Sequence, residues 1–421
     1  MRASSVMVAG RPQPAAALRP LLPLYVAIFV GCVGYSLMIT VFVPTMLDAH
    51  GGLLSAHARM TRRTMLLGVL VSLYPLGQFF ASPVIGALSD RAGRRPIWLV
   101  SLAVNAAGYA VIATALALHR LSVLMVGSLL VGLSDASRVI AQRVIADVAS
   151  VERRGPSLRY IYLTVSVACV LGPLVGGQLT DKTLVPWFRN PTPFWAVAGL
   201  LVVTLLIAAA AFRETNASPR GDEIDYGAAL NSLFDAFVDP RLRGLYGANG
   251  LLYLAIYGFL RCYPMQLVGE FRMNVPQLAA VVAWVALPLV ITNVWLNGLL
   301  ARRVATPRIV AVSALLTGVG LIAVALPLDV YVLWGVLFLT GLALAVCLAA
   351  CARMVVAAVT AVEEGRAMED DRSLRAGVET LSGLLVGVLA AVKVSLALVA
   401  LGLVAIVAAN VAAQRARRAE L

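Results

Sequence analysis

Two charged side chains stand where charge is costly. Asp135 and Arg138 lie three residues apart inside the apolar stretch 121–147, and a charge in hydrocarbon is expensive unless it pairs or lines a wet cavity. Two uses are open to them. A desolvated carboxyl can take up and release a proton, whereas an acid and a base at i,i+3 can form a structural pair. Arg261, in a later apolar stretch, is suited to a forked contact with an anionic substrate or, near a helix end, to snorkelling. Gln78 and Asn105, with Asn293 and Asn297, are weaker cavity candidates, because amides in such stretches also bond between helices. Arg143, Arg353 and Glu379 fall nearer segment ends, where interfacial contacts or gating are expected.

Such residues need membrane-crossing elements to position them. Of the 421 residues, 61% are hydrophobic and only 13% charged, against roughly 45–50% and about 25% in soluble domains. A water-soluble globule is excluded. At about 20 apolar residues per span, the composition allows at most roughly twelve. Uncharged runs such as 195–212 favour helices over a barrel, whose strands alternate apolar and polar residues. Apolar length and charged or Pro/Gly punctuation place spans at 21–47, 64–88, 96–118, 121–147, 158–180, 194–212, 244–267, 277–300, 308–327, 330–356, 375–392 and 394–413. The longest hydrophilic interval separates the first six from the second six. The expected fold is therefore an all-α polytopic membrane protein of about twelve transmembrane helices, with six-helix halves at 1–212 and 244–421 and a cytoplasmic linker at 213–243.

The net charge of +13 would suggest nucleic acid in a soluble chain, but among membrane spans it reports orientation, because Lys and Arg collect in cytoplasmic loops. With both termini inside, the richer set of arginines is cytoplasmic, including Arg91, Arg94, Arg95, Arg302 and Arg303; the Arg59–Arg63 cluster is a local exception. No nucleic-acid partner is expected. The five cysteines all fall in apolar segments, which fits buried hydrophobes better than a disulfide framework. His50 and His57 share a loop with Asp48, and solvation is a better reading of them than a metal site. The apolar stretch 21–47 exceeds the usual signal-peptide core of about 7–15 residues, so it reads as a first span.

After the second span stands Gly86-x-x-x-Asp90-Arg91-x-Gly93-Arg94-Arg95. It suits a tight turn that uses glycine's backbone freedom, with a carboxylate able to meet a helix N-terminus and arginines able to fork onto acids. A weaker echo, Gly298 to Ile309, follows the eighth span. The first pattern resembles motif A of the major facilitator superfamily. The resemblance implies that Asp90 and Arg94 latch the two halves in the outward-facing state, Asp90 near the start of span 11 and Arg94 near an acid at the end of span 4, here Asp147. In span 5, Gly172-Pro173-x-x-Gly176-Gly177 resembles motif C of the drug:proton antiporter branch. Small residues allow close helix approach and Pro removes a backbone donor, so span 5 would pack on a helix of the opposite half. The stretch 128–154 is similar to span 4 of tetracycline-type exporters, but Ser128 stands where that family's motif B has Arg.

The resemblance implies a secondary transporter that exports a small organic compound in exchange for protons, without any cofactor. No phosphate loop or H-E-x-x-H or G-x-S-x-G motif is present, so neither ATP-driven transport nor a hydrolytic enzyme is favoured. An anionic metabolite or siderophore as substrate, taken up or moved without protons, and a non-transporting sensor on the same fold, are the alternatives. The expected setting is the inner membrane of a bacterium, both termini cytoplasmic, with the lipid bilayer and a small molecule as partners, a functional monomer and no metal.

Overall fold

The computed structural model describes residues 21–48, 53–55, 57–148, 151–216, 231, 234, 237–239, 242–360 and 364–419. His50, most of the linker and the N-terminal tail lie outside the described residues. Among the described residues there is no strand, and twelve helices are long and apolar enough to cross a membrane. Spans 1 to 6 are Leu22–Leu47, Met60–Ala92, Arg94–Ala117, Leu121–Ile145, Arg159–Gln178 and Thr192–Ala211. Spans 7 to 12 are Arg243–Phe271, Val275–Arg303, Thr306–Val324, Val330–Ala357, Arg366–Val392 and Val394–Gln414.

Local chemistry sets several of these boundaries. Proline stands in the first turn of spans 1, 6, 8 and 9, where its missing N–H costs nothing and its fixed φ suits a helix. Span 8 begins with a reciprocal capping box between Asn274 and Gln277, and the Asp329 carboxylate accepts the Tyr331 N–H at the start of span 10. The large side chains left exposed, such as Leu200, Val203, Leu206, Val312 and Leu316, are those that hydrocarbon would cover.

Three elements depart from the sequence expectation. Span 4 is not continuous: one helix ends at Ser134 and another begins at Ser137, with Asp135 non-helical at φ −76° and ψ 79°. Span 8 carries a π-helical turn at Thr292–Leu296. The helix of span 11 begins at Glu364, eleven residues before the expected start at 375; its charged first turns read as a loop by hydropathy, yet Asp371, Arg372 and Arg375 line a cavity.

Spans 1 to 6 pack chiefly among themselves, as do spans 7 to 12, and the groups meet chiefly where span 2 lies on span 11 and span 5 on span 8, with span 1 also touching spans 7 and 8. At the 2–11 seam the backbones nearly touch: a Cβ on Gly68 would sit 2.5 Å from the Cα of Gly387. At the other, a Cβ on Gly177 would sit 2.5 Å from the Ala279 Cβ. Both contacts lie toward the end of the bundle opposite Asp90, which they close.

Candidate functional site

Between the two groups of helices lies a cavity of about 410 Å³, within the ~300–1,000 Å³ range of small-molecule sites. Its walls are mostly aliphatic and aromatic, including Tyr35, Tyr74, Phe79, Tyr257 and Tyr263. It reaches the Asp90 end of the bundle, where Gln142 and Arg143 of span 4 face Glu369 and Arg372 of span 11. Arg372 hydrogen-bonds Gln142 across that mouth.

The break in span 4 places Asp135 in the cavity wall. Its Oδ2 accepts from the Tyr74 hydroxyl at 2.5 Å and from the Gln78 amide at 3.3 Å. Arg138 also lines the cavity, and its one hydrogen-bond partner among the described residues is the Cys32 sulfur, 3.5 Å from Nη2. The pairing of Asp135 with Arg138 expected as one alternative is absent: no ion pair joins them among the described residues. Unwinding at 135–136 breaks the i,i+3 geometry, and Tyr74 with Gln78 draws the carboxylate aside.

Arg261 departs from the expectation of an anion-binding guanidinium. It is 2% exposed, absent from the cavity wall, and pairs with Glu379 at 3.3 Å while donating to Ser382. Glu379 stands in the cavity wall midway along span 11, not at an interfacial end, and also accepts from the Tyr35 hydroxyl at 2.5 Å. Asn105 is likewise outside the cavity; it donates to the Val131 carbonyl and the Ser134 hydroxyl, tying span 3 to the turn before the break. Gln78 lines the cavity as expected. Tyr35 and Tyr74 escaped the sequence reading. Their signal was present, because a tyrosine in mid-span needs an acceptor for its hydroxyl.

The motif residues form a network within the first six helices. Asp90 pairs with both Arg94 and Arg143, and Arg94 also reaches Asp147 at 3.0 Å. In this arrangement, with the cavity reaching the Asp90 end, Asp90 meets Arg143 of span 4. Gly93 adopts φ +98°, open to glycine at little cost, and Arg91 lies exposed in the last turn of span 2, where a cation suits the helix dipole. Arg95 donates to the Ala209 carbonyl. Glu214, just beyond span 6, accepts the N–H groups of Arg94 and Arg95 at the start of span 3. Burial alone would raise its carboxyl, but the N–H groups of Asn216, Arg95, Arg94 and Thr215 outweigh that and hold it below the usual carboxylate range.

In span 5, Gly172 and Gly176 pack on Ser36 and Leu37 of span 1, and only Gly177 meets the opposite group. Pro173 lies within the unbroken helix Val151–Gln178. Among the described residues no cluster of His, Cys, Asp and Glu is arranged to hold a metal.

The family model for the Major Facilitator Superfamily matches residues 24–263. Tetracycline resistance protein class C of Escherichia coli is 36% identical over 153 residues, 36% of each chain, and class B of the same organism is 32% identical over 165 residues, 39% of each. These alignments span less than half the length of either relative. The crystal structure of the human organic anion transporter MFSD10 (TETRAN) matches 95% of this chain and 100% of its own at a TM-score of 0.71 and 19% identity, which speaks to the fold.

Proposed function

The chain belongs to the major facilitator superfamily, and on that premise we propose that it is a secondary transporter that exports a small organic compound in exchange for protons by alternating access. The observation that carries this reading is Asp135, a carboxylate with no cationic partner within ion-pair distance among the described residues, held in the wall of a cavity between two helix groups. Such a group can load a proton from one side and release it to the other when the seams exchange. The resemblance to tetracycline resistance proteins supports the export direction. With both termini cytoplasmic in a bacterial inner membrane, the cavity mouth beside Asp90 opens inward and the Gly68–Gly387 seam shuts the outside.

The coupling reading is tested in proteoliposomes with an imposed pH gradient. Asp135→Asn is expected to abolish gradient-driven flux while counterflow exchange stays measurable at a reduced rate; unchanged gradient-driven flux removes Asp135 from coupling. A sensor on the same fold would show neither flux.

A further inference from the structure

Asp135 and Arg138 are opposite charges on one wall that form no hydrogen bond or ion pair with each other. Each is instead steadied from outside the pair. Both hydrogen bonds to Asp135 reach Oδ2, so Oδ1 has no donor among the described residues, and it is not among the buried polar atoms that lack one. It is therefore not sealed off, and it belongs to a residue of the cavity wall, with Gly31 of span 1 on one side, where a Cβ would lie 3.7 Å away. Arg138 has five N–H donors by its chemistry and spends one on a sulfur, a weak acceptor; its remaining nitrogens are likewise not buried orphans. The other arginines at the cavity's polar rim are engaged: Arg143 by Asp90, Arg375 by Asp371 and the Tyr253 ring, and Arg372 by Gln142. Arg261, behind the wall, is neutralised by Glu379.

A carboxylate and a guanidinium held apart on one wall form a preorganised dipole, and the ligand that matches both ends carries both charges. We infer that the cavity binds a zwitterionic organic substrate, its carboxylate forked onto Arg138 and its ammonium on the free Oδ1 of Asp135, with the apolar body against Tyr35, Tyr257 and Leu260. An anion alone would leave Asp135 facing it, and a cation alone would meet Arg138; each pays a like-charge cost that the zwitterion avoids. The inference rests on the transport reading and adds to it. A proton on Asp135 removes the ammonium's partner, so proton and substrate compete, which is the relation an exchanger requires. The groups facing Asp135 are Tyr74 and Gln78 of span 2, Cys32 of span 1, Tyr109 of span 3 and Arg138 itself.

The test uses the purified full chain in detergent and ligand-induced thermal stabilisation with three probes of matched shape: aminomethylbenzoate (3- and 4-isomers), the corresponding methylbenzoates and the methylbenzylamines. The zwitterions are expected to bind roughly tenfold more tightly than either singly charged series, the effect of one charge-assisted hydrogen bond. Asp135→Asn should reduce the zwitterion to the level of the methylbenzoate, and Arg138→Gln to that of the methylbenzylamine. Equal binding by methylbenzoate or by methylbenzylamine in the unsubstituted chain, or no stabilisation by any probe, overturns the inference without need of a variant. Loss of gradient-driven flux with the binding pattern intact would overturn the coupled-export reading alone.

Discussion

Tyr35 and Tyr74 stack with ring centroids 4.6 Å apart, and their hydroxyls donate to carboxylates of opposite helix groups, Tyr74 to Asp135 and Tyr35 to Glu379. Tyr74 completes its bond within its own half. Tyr35 reaches from span 1 to span 11, directly beneath the seam where Ser72 lies under Gly383. Opening that seam must separate span 11 from its neighbours in the first half, so the Tyr35–Glu379 bond opposes the movement.

Tyr35→Phe keeps the stacking surface and removes only the donor. In a chain whose native cysteines are replaced, Ser72→Cys reports the seam, since Ser72 is 2% exposed while the seam is shut. Tyr35→Phe should raise the rate at which a membrane-impermeant maleimide labels this position severalfold. Equal labelling with and without the hydroxyl would make the bond incidental to the equilibrium.

The seam itself admits a second prediction. A Cβ on Gly68 meets the backbone of Gly387 and Gly383, which cannot swing aside as a flexible side chain could. Gly68→Ala should therefore wedge the opposite end apart, increase Ser72→Cys labelling and lower flux. Gly199→Ala, where a Cβ meets nothing within 4 Å, should change neither. Equal behaviour of the two variants would show that the close approach is not what keeps that end shut.

Much of the architecture was legible in the sequence because hydrocarbon imposes length and apolarity on each span, and those are local properties. The Arg94–Asp147 pair was legible for a different reason, since a motif fixes residue types at a turn. What was not legible depended on partners far away in the chain. Nothing local tells that Arg261 is answered by Glu379, 118 residues later, or that Tyr74 draws Asp135 away from Arg138. Span 11 was mistimed because hydropathy cannot distinguish a charged loop from a helix whose charges face a wet cavity.

Glu214 supplies a pH-dependent prediction whose sign follows from its hydrogen bonds. Its carboxyl is held below the ordinary range, so its stabilisation is present above the unfolded value, about 4.3, and is lost as pH falls through the lower folded value. Glu214→Gln should lower the unfolding temperature near pH 7, by an amount corresponding to about 1 kcal/mol or less for an exposed group at a helix start. The difference from the unsubstituted chain should narrow as pH approaches 4. A constant difference across that range would mean that the carboxylate charge is not what holds the turn after span 2.

The Arg261–Glu379 pair separates a structural role from a substrate-binding one. Their side chains are 2% and 11% exposed, and removing one partner of a buried pair costs roughly 3–5 kcal/mol because the other charge is left uncompensated. Arg261→Leu alone and Glu379→Leu alone should each lower the unfolding temperature markedly. The double variant strands neither charge, and replacing a buried pair by apolar groups is often near neutral, so it should recover most of the loss. If Arg261 held substrate and not Glu379, the double variant would be no more stable than the sum of the single losses predicts. Part-buried Tyr35 adds a check, because in the double variant its hydroxyl loses its acceptor. Adding Tyr35→Phe to that background should then be neutral or stabilising, whereas in the unsubstituted chain it should be destabilising.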